Sequence, residues 1–466
     1  MANIPAASTM KRYPPSGLSI LVVGSGIGGL GFAIEAHRKG HDVRIVERRP
    51  NFRDKGKLLS RALIGIQAPA IEQFTQWPGF MERLKQFTME PHIRMMKSDQ
   101  TLIGDFPLGN SKHPALPMSR PALHELLYDY ARELGIPVAL GKSVVEYFED
   151  SERGGVTYAD GSTEVADVVV AADGVGSRAW ALVTGEKQAA TPSGFSVHLV
   201  TYPTERALAN PVVREGFGDL ESGVMFNLGP GAHFVIGKSP KETTWCLITR
   251  DQPDATEDWG NKGSAAAALA EMESWAPFYK ELVKTAPEDD ILLWRLMWRD
   301  PQPKCVSPLG RVVQIGDAAH PFLPTSAAGA SMALEDGCTL ASCLQLSGKS
   351  NVPLALRVHN LLRFERVCCA QKIGFRNREM FHKTDWDGVE NDPGSVSVFA
   401  GDWMGRHHVE QYVYDNYGNA ARSILEGTHF ENTNSVPGFK FRPWTVKELL
   451  EASDKGQPVI DEGEWY

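Results

Sequence analysis

An α/β fold of Rossmann type, its parallel sheet interrupted by a β-rich insertion and completed by C-terminal helices, is what this sequence predicts. Three observations carry that expectation. A strand, a glycine turn, a helix and a second strand fit into residues 18–47, the size of one βαβ unit. From about residue 195 to 250 the texture changes to short alternating runs separated by Gly and Pro, which is antiparallel sheet texture. A buried strand then returns at 312–315, and long helical patterns follow it to about residue 384.

The elements are predicted in chain order. Residues 1–17 are polar, carry three prolines and are expected to form a disordered tail. Order begins with the apolar run 18–23, which reads as a buried parallel strand. Residues 28–39 have helical spacing, with Leu30, Ala33, Ile34 and His37 on one side, and Gly40 stops the helix. The second strand is 43–47. A helix is predicted over 121–134, with Pro121 near its start and Gly135 just past its end. A strand is expected at 165–172, and the runs 223–228 and 232–236 flank Gly229-Pro-Gly231, read as a hairpin loop. Helical runs return near 265–275. Trp294 and Trp298 stand four apart in an alternating run and share a face, as core or wall. A helix over 410–424 lies in a Pro- and Asn-rich end. The partition is discontinuous: a nucleotide domain from 18–75, 115–190 and 300–385, a substrate domain from 76–114 and 191–299, and a C-terminal helical and coil extension, 386–466.

The bulk numbers exclude several classes. With 48 Lys plus Arg against 57 Asp plus Glu, the net charge is −9. That surplus of acid argues against a nucleic-acid partner, which needs phosphate-neutralising cations. No stretch of about 20 apolar residues exists, so no membrane span is expected. The N-terminus lacks the apolar core of a secretory signal. Six scattered cysteines include no C-x-x-C pair and no metal-ligand spacing. The expectation is a cytoplasmic protein with free thiols, no metal, a small-molecule substrate, and a monomeric or homodimeric state.

Gly24-Ser-Gly26-Ile-Gly-Gly29 follows the first strand and opens the helix. Gly24 permits the tight turn, Gly26 lets backbone approach a pyrophosphate, and Gly29 lets helix pack close to strand. The helix N-terminus offers unpaired N–H groups to phosphates. Glu47 ends the second strand 18 residues after Gly29, where an acid meets an adenosine ribose. Arg48 beside it joins the candidate cofactor set. A plain glycine-rich turn would not explain Glu47.

Two further patterns follow strands: Ala171-Ala-Asp173-Gly174-Val-Gly-Ser177-Arg178, and Gly310 through Gly316-Asp317-Ala-Ala-His320-Pro321, running on past Pro324 to Gly329-Ala330 and a helix. With these three motifs in order, the chain resembles the FAD-dependent monooxygenases of the salicylate-hydroxylase-like (aromatic hydroxylase) group, especially fungal biosynthetic members, from about residue 18 to 421. The resemblance implies roles. The fingerprint and Glu47 hold the ADP half of FAD. Arg120 reaches the cofactor, and a flavin contact is carried over near Ile64 or Gly65. Asp173 and Gly174 match a motif associated with FAD and NAD(P)H. Asp317 binds the ribityl chain, Gly329 and Ala330 bring N–H groups to the flavin ring, and the Pro324 backbone sets a carbonyl near the ring edge. Read singly, Asp317 could instead cap a helix and Asp173-Gly174 could form a turn.

The same resemblance implies that NADH or NADPH reduces the FAD, and that O₂ then forms a C4a-hydroperoxyflavin. Its distal oxygen hydroxylates or epoxidises an electron-rich aromatic, indole or polyketide-type molecule, in secondary metabolism. An FAD-dependent oxidase or dehydrogenase on the same fold, and a non-catalytic FAD-fold binding protein, are the competing readings. Several phenol-oxidising members carry a Tyr-Arg pair where this chain has His198 and Leu199, which favours a bulkier, less acidic substrate. His198 is the candidate acid/base. The expectation is that 196, 198 and 200 face the substrate cavity while Leu199 packs behind. A hydrogen-bonded strand histidine is the other reading of His198. His320 is read as ordering the Asp317 loop.

Overall fold

The computed structural model describes residues 5–52, 62–109, 112–186, 190–251, 261–457 and 462–466. A five-stranded parallel sheet forms the nucleotide half, in the order Val312–Gln314, Val168–Ala171, Ser19–Val23, Asp42–Glu47, Val138–Leu140. Its central strands are near-continuous Val, Ile and Leu because helices and a small sheet cover both faces. On one face Ile20 and Val22 pack with Leu30 and Ile34 of the fingerprint helix Ile27–Arg38. On the other, Leu21 and Val23 pack with Tyr147, Val156 and Tyr158.

The strand expected over 165–172 is two strands. Thr163–Ala166 pairs antiparallel with Gly154–Tyr158, and Val168–Ala171 joins the parallel sheet. Asp167 sits between them and accepts from Ser19 N (2.8 Å) and Ser19 Oγ (2.9 Å), which pins the change of direction. The tail also differs from expectation. Residues 5–17 lie against the end of the fingerprint helix. Arg12 Nε donates to His37 O (2.9 Å), Tyr13 N to Arg38 O (2.9 Å) and Ser16 N to Gly40 O (3.0 Å), while Ala7 and Met10 are buried.

The second half is a seven-stranded sheet in the order Leu292–Trp298, Thr191–Pro203, Glu242–Arg250, Ala232–Lys238, Gly223–Gly229, His92–Lys97, Leu102–Pro107. It is antiparallel except where Gly223–Gly229 meets His92–Lys97. The outer face is covered by the helices Ala265–Ala270 and Pro277–Thr285 around Trp245, Leu247, Phe234 and Tyr279. Only the first of these falls in the expected run near 265–275, and it is N-capped by Ser264 Oγ. The inner face looks toward the nucleotide half.

Two long helices, Gly329–Ser347 and Val352–His382, close the structure. The helix Val409–Glu426 docks on the nucleotide half through Val413 and Ala420. Glu410 at its start pairs with Arg38 (2.6 Å) and Lys39. Among the described residues no helix is long and apolar enough to cross a membrane.

Candidate active site

One cavity opens where the parallel strands end and the inner face of the seven-stranded sheet begins. Gly26, Ala172 and Gly316 follow the carboxyl ends of three parallel strands and line one side. Val197, Phe226 and Trp294 line the other. Ligands of open α/β sheets bind at that strand edge.

At its outer end the glycine turn holds its shape for steric reasons. Gly24 has φ +103°, and a Cβ there would stand 2.4 Å from Ala172 O. A Cβ on Gly29 would meet Gly24 O at 2.1 Å, so helix and turn are in contact. Around Gly26 nothing lies within 4 Å of such an atom, leaving backbone open to the cavity. Glu47 is buried and closes the turn: its Oε2 accepts from Ser25 N (2.9 Å) and Ser25 Oγ (2.8 Å), and its Oε1 from Arg49 N (3.0 Å). Burial pushes this carboxyl up, but the donors from Ser25 and Arg49 outweigh it and hold it below the ordinary range. Arg48 is exposed, whereas Arg49 is half-buried and electrostatically coupled to Glu47, Arg120 and His124. His124 shares a hydrogen bond with Ser25 O at 2.5 Å, and burial lowers its pKa to about 4. Neutral, it must donate to that carbonyl. Neither Arg49 nor His124 stands in a recognisable motif.

At the inner end, Arg120 opens the helix Arg120–Glu133 and lines the cavity with Asp317, Gly174, Gly65, Pro324, Gly329 and Ala330. Asp317 lies in the turn Gly316–Ala318. Its side chain is exposed to the cavity, and desolvation by the surrounding protein raises its pKa against the pull of Arg120, His320 and Arg299. Pro324 begins a short 3₁₀ turn that ends at Ala327, a non-glycine residue at φ +48°. Gln67 Nε2 donates to Ala327 O (3.2 Å), and Gln67 N donates to Ser331 Oγ (2.9 Å), which fixes the bend. The helix Gly329–Ser347 then starts with its unpaired first-turn N–H groups at the cavity. Asp173 is the exception in this set. Its Oδ2 accepts from Tyr147 Oη (2.8 Å) on the far side of the loop, and it shapes the loop rather than lining the cavity. Part of the connection between Glu47 and Gly65 lies outside the described residues.

Behind Asp317 lies a buried charge network. His320 Nε2 and Gly316 N meet Asp336 Oδ2 at 2.6 and 2.9 Å. Arg363 donates to Asp336 Oδ1 (2.8 Å) and Glu335 Oε2 (2.5 Å). Arg366 forks onto Glu335 (2.8 and 2.9 Å) and donates to the carbonyls of Trp403, Met404 and Asn434. This clamps the Asp317 loop to both long helices and to the C-terminal segment.

The seven-stranded sheet corrects the reading of its first strand. Val197 and Leu199 face the cavity, aligned with Ile248 and Cys246 on the next strand. His198 faces the opposite way, paired with Leu247 on the side covered by helices, with its Cδ2 close to Gly263. It is fully buried, neither ring nitrogen has a hydrogen-bond partner among the described residues, and burial lowers its pKa to about 4. Both readings offered for it therefore fail on geometry. Alternation gave the period but not the phase, because both faces of the sheet are buried. The phase is set by Trp245 and Leu247, whose bulk belongs with the covering helices. The polar side chain that does line this wall is His233, which no motif singled out.

A Rossmann-type sheet whose glycine turn opens on a cavity roofed by an antiparallel sheet defines a dinucleotide-binding oxidoreductase of flavin type. The chain belongs to the FAD binding domain family, which matches residues 18–354. It is 37 % identical over 477 residues to the FAD-dependent monooxygenase dmxR9 of Cryptosporiopsis sp. (strain 8999), covering 98 % of this chain and 91 % of that one. Among solved structures it is similar to FqzB, with TM-score 0.81 and 31 % identity over 93 % of this chain and 99 % of that one. It is also similar to CtdE in complex with FAD and substrate 4, with TM-score 0.81 and 27 % identity over 87 % and 99 % of the two chains. The chain is an FAD-dependent monooxygenase. The residues present fit FAD: two helix N-termini for its phosphates and ring, a glycine turn braced by Glu47 through Ser25, and Asp317 in the cavity lining as an acceptor for hydroxyls.

Proposed function

We propose that the chain binds FAD non-covalently in this cavity and uses NADH or NADPH and O₂ to place one oxygen atom on a bulky, neutral, electron-rich aromatic, indole or polyketide-type molecule. The observation that carries this reading is the composition of the substrate wall. Val197, Leu199, Val224, Phe226, Ile248 and Trp294 form it, and among its described residues none is Lys or Arg. A small anionic phenol would be desolvated there without a partner. A larger neutral ring gains about 25 cal/mol per Å² buried, before the costs of ordering.

Bound FAD supplies the redox chemistry, taking electrons from the nicotinamide and passing them to O₂. The chain's own residues do the rest. Glu47 and the glycine turn orient the ADP half. Asp317 and Arg120 place the ribityl chain, and the first turn of Gly329–Ser347 directs N–H groups at the ring, where they favour negative charge. The apolar wall excludes water, without which activated oxygen would be lost as H₂O₂. The protein acts in the cytoplasm, as a monomer or homodimer, in secondary metabolism.

The test is the purified protein. It is expected to be yellow, with one FAD per chain released on denaturation and NAD(P)H oxidation stimulated by a bulky neutral arene. A colourless protein that cannot be reconstituted with FAD would overturn the reading.

A further inference from the structure

His233 lies on the strand Ala232–Lys238, opposite Ile248 and Leu228 in the pairing, and its ring lines the cavity stacked on Phe226 (5.2 Å, 14°). Its Nδ1 is 3.0 Å from Nε2 of His382 at the end of the long helix Val352–His382. His382 Nδ1 is in turn 3.0 Å from the carbonyl oxygen of Gly231, in the hairpin loop.

These two distances fix where the protons are. A carbonyl only accepts, so His382 carries its hydrogen on Nδ1. Both rings are neutral. Burial holds His233 well below the ordinary histidine range, helped by His382. Burial also lowers His382 to about 4, the Gly231 carbonyl and Glu379 raising it and Arg378 and Arg250 lowering it. A neutral His382 with hydrogen on Nδ1 has a bare Nε2, so His233 Nδ1–H donates to it. The lone pair of His233 is thereby placed on Nε2, on the ring that lines the cavity, and the only side-chain hydrogen bond of His233 among the described residues is the one at Nδ1.

We propose that His233 is the catalytic base of this site, accepting the hydroxyl proton of a neutral hydroxyarene on the apolar wall, and that His382 is its positioning residue. The proposal deepens the function given above and rests on it. In the step, the substrate O–H bond breaks and its electron pair stays on oxygen. The proton bonds to His233 Nε2. His233 Nδ1–H passes to His382 Nε2, and His382 Nδ1–H leaves to solvent at the half-buried outer end of the pair. The ring gains electron density at the carbon that receives oxygen. The relayed tautomer sets the bare His382 Nδ1 against the Gly231 carbonyl, an unfavourable contact of two lone pairs. The pair therefore takes its proton back when the product hydroxyl is restored. The substrate enters the wall neutral, and the negative charge formed on its oxygen is consumed as the ring takes up oxygen, so no anion has to be bound there at rest.

The experiment uses FAD-loaded protein labelled with ¹⁵N-histidine, with 2-naphthol as the probe and resonances assigned through His233→Phe and His382→Phe. The expected spectrum has His233 protonated on Nδ1 and bare on Nε2, with the Nε2 resonance moving when 2-naphthol is added. In His382→Phe the His233 proton shifts toward Nε2, which a purely structural role for His382 would not cause. Where wild type oxygenates a hydroxyarene, His233→Phe should lose about 100-fold in turnover while keeping its FAD. A proton on Nε2 in wild type, an imidazolium, an Nε2 resonance blind to 2-naphthol, or full turnover in His233→Phe would each overturn the proposal. A wild type that takes up no FAD would instead sink the functional reading, and the tautomer would still be read from the spectrum.

Discussion

Gly337, on the helix Gly329–Ser347, lies against the backbone of Phe32 on the fingerprint helix: a methyl carbon added to it would stand 2.9 Å from both Cα and N of Phe32. A methyl carbon added to Gly28, along the same seam, would stand 3.1 Å from Ala333 Cβ. The contact brings two helix N-termini to one cavity. Gly337→Val should force the helices apart, costing about 2 kcal/mol of stability and weakening FAD retention. Denaturant unfolding and FAD release would measure it. Unchanged values for both would show that the close approach is not required.

Glu47 is tied to Ser25 by two hydrogen bonds. Glu47→Ala should therefore loosen the glycine turn as well as remove a ribose acceptor, at about 1.5–3 kcal/mol for the ionic hydrogen bonds lost. The expected outcome is weaker FAD binding, by one to two orders of magnitude on the same scale. Unchanged affinity in a titration of the apoprotein would remove Glu47 from the site.

The Glu335 carboxyl should make stability depend on acid. Burial raises its pKa, and Arg366 and Arg363 more than reverse that, holding it at about 2 against an ordinary 4.5. A depressed carboxylate stabilises the fold fully above its unfolded value and loses that contribution as pH falls through the folded one. Arg366→Met should cost about 3–5 kcal/mol at pH 7, by leaving a buried charge short of a partner. Its deficit should shrink between about pH 4.5 and pH 2. Urea unfolding across that range checks the sign, and a deficit constant with pH would contradict it.

His198→Leu should leave FAD content and oxygenation within about twofold of wild type and should not lower stability, since the imidazole it removes is buried without a partner. Leu199→Ala should instead enlarge the cavity wall and weaken binding of a bulky arene by about 1–3 kcal/mol. Loss of coupled turnover in His198→Leu, with no effect of Leu199→Ala, would restore the opposite facing.

Much of the nucleotide half was legible because its rules are local. Gly24, Gly26, Gly29 and Glu47 occupy a spacing that one βαβ unit imposes, and Gly316-Asp317 and Gly329-Ala330 sit at strand ends and helix starts that apolar runs announce. What was not legible depends on partners far away in sequence. The facing of His198 is decided by the register with Leu247 and by the helices Ala265–Ala270 and Pro277–Thr285, far along the chain. The pairing of His233 with His382 joins residues 149 apart. Asp336, Arg363 and Arg366 looked like ordinary helix residues until two long helices were laid side by side. Arg48 and Arg49 differ by one position in a loop, where periodicity gives no facing at all.

The most direct measurement is the fate of oxygen. FAD-loaded protein given NADPH and ¹⁸O₂ with 2-naphthol should yield a dihydroxynaphthalene carrying one ¹⁸O atom, with that product accounting for most of the NADPH consumed. NADPH consumption with all of the ¹⁸O recovered as H₂O₂, or an oxidised product without ¹⁸O, would contradict a monooxygenase that binds neutral hydroxyarenes on this wall and would favour the oxidase chemistry of the same fold.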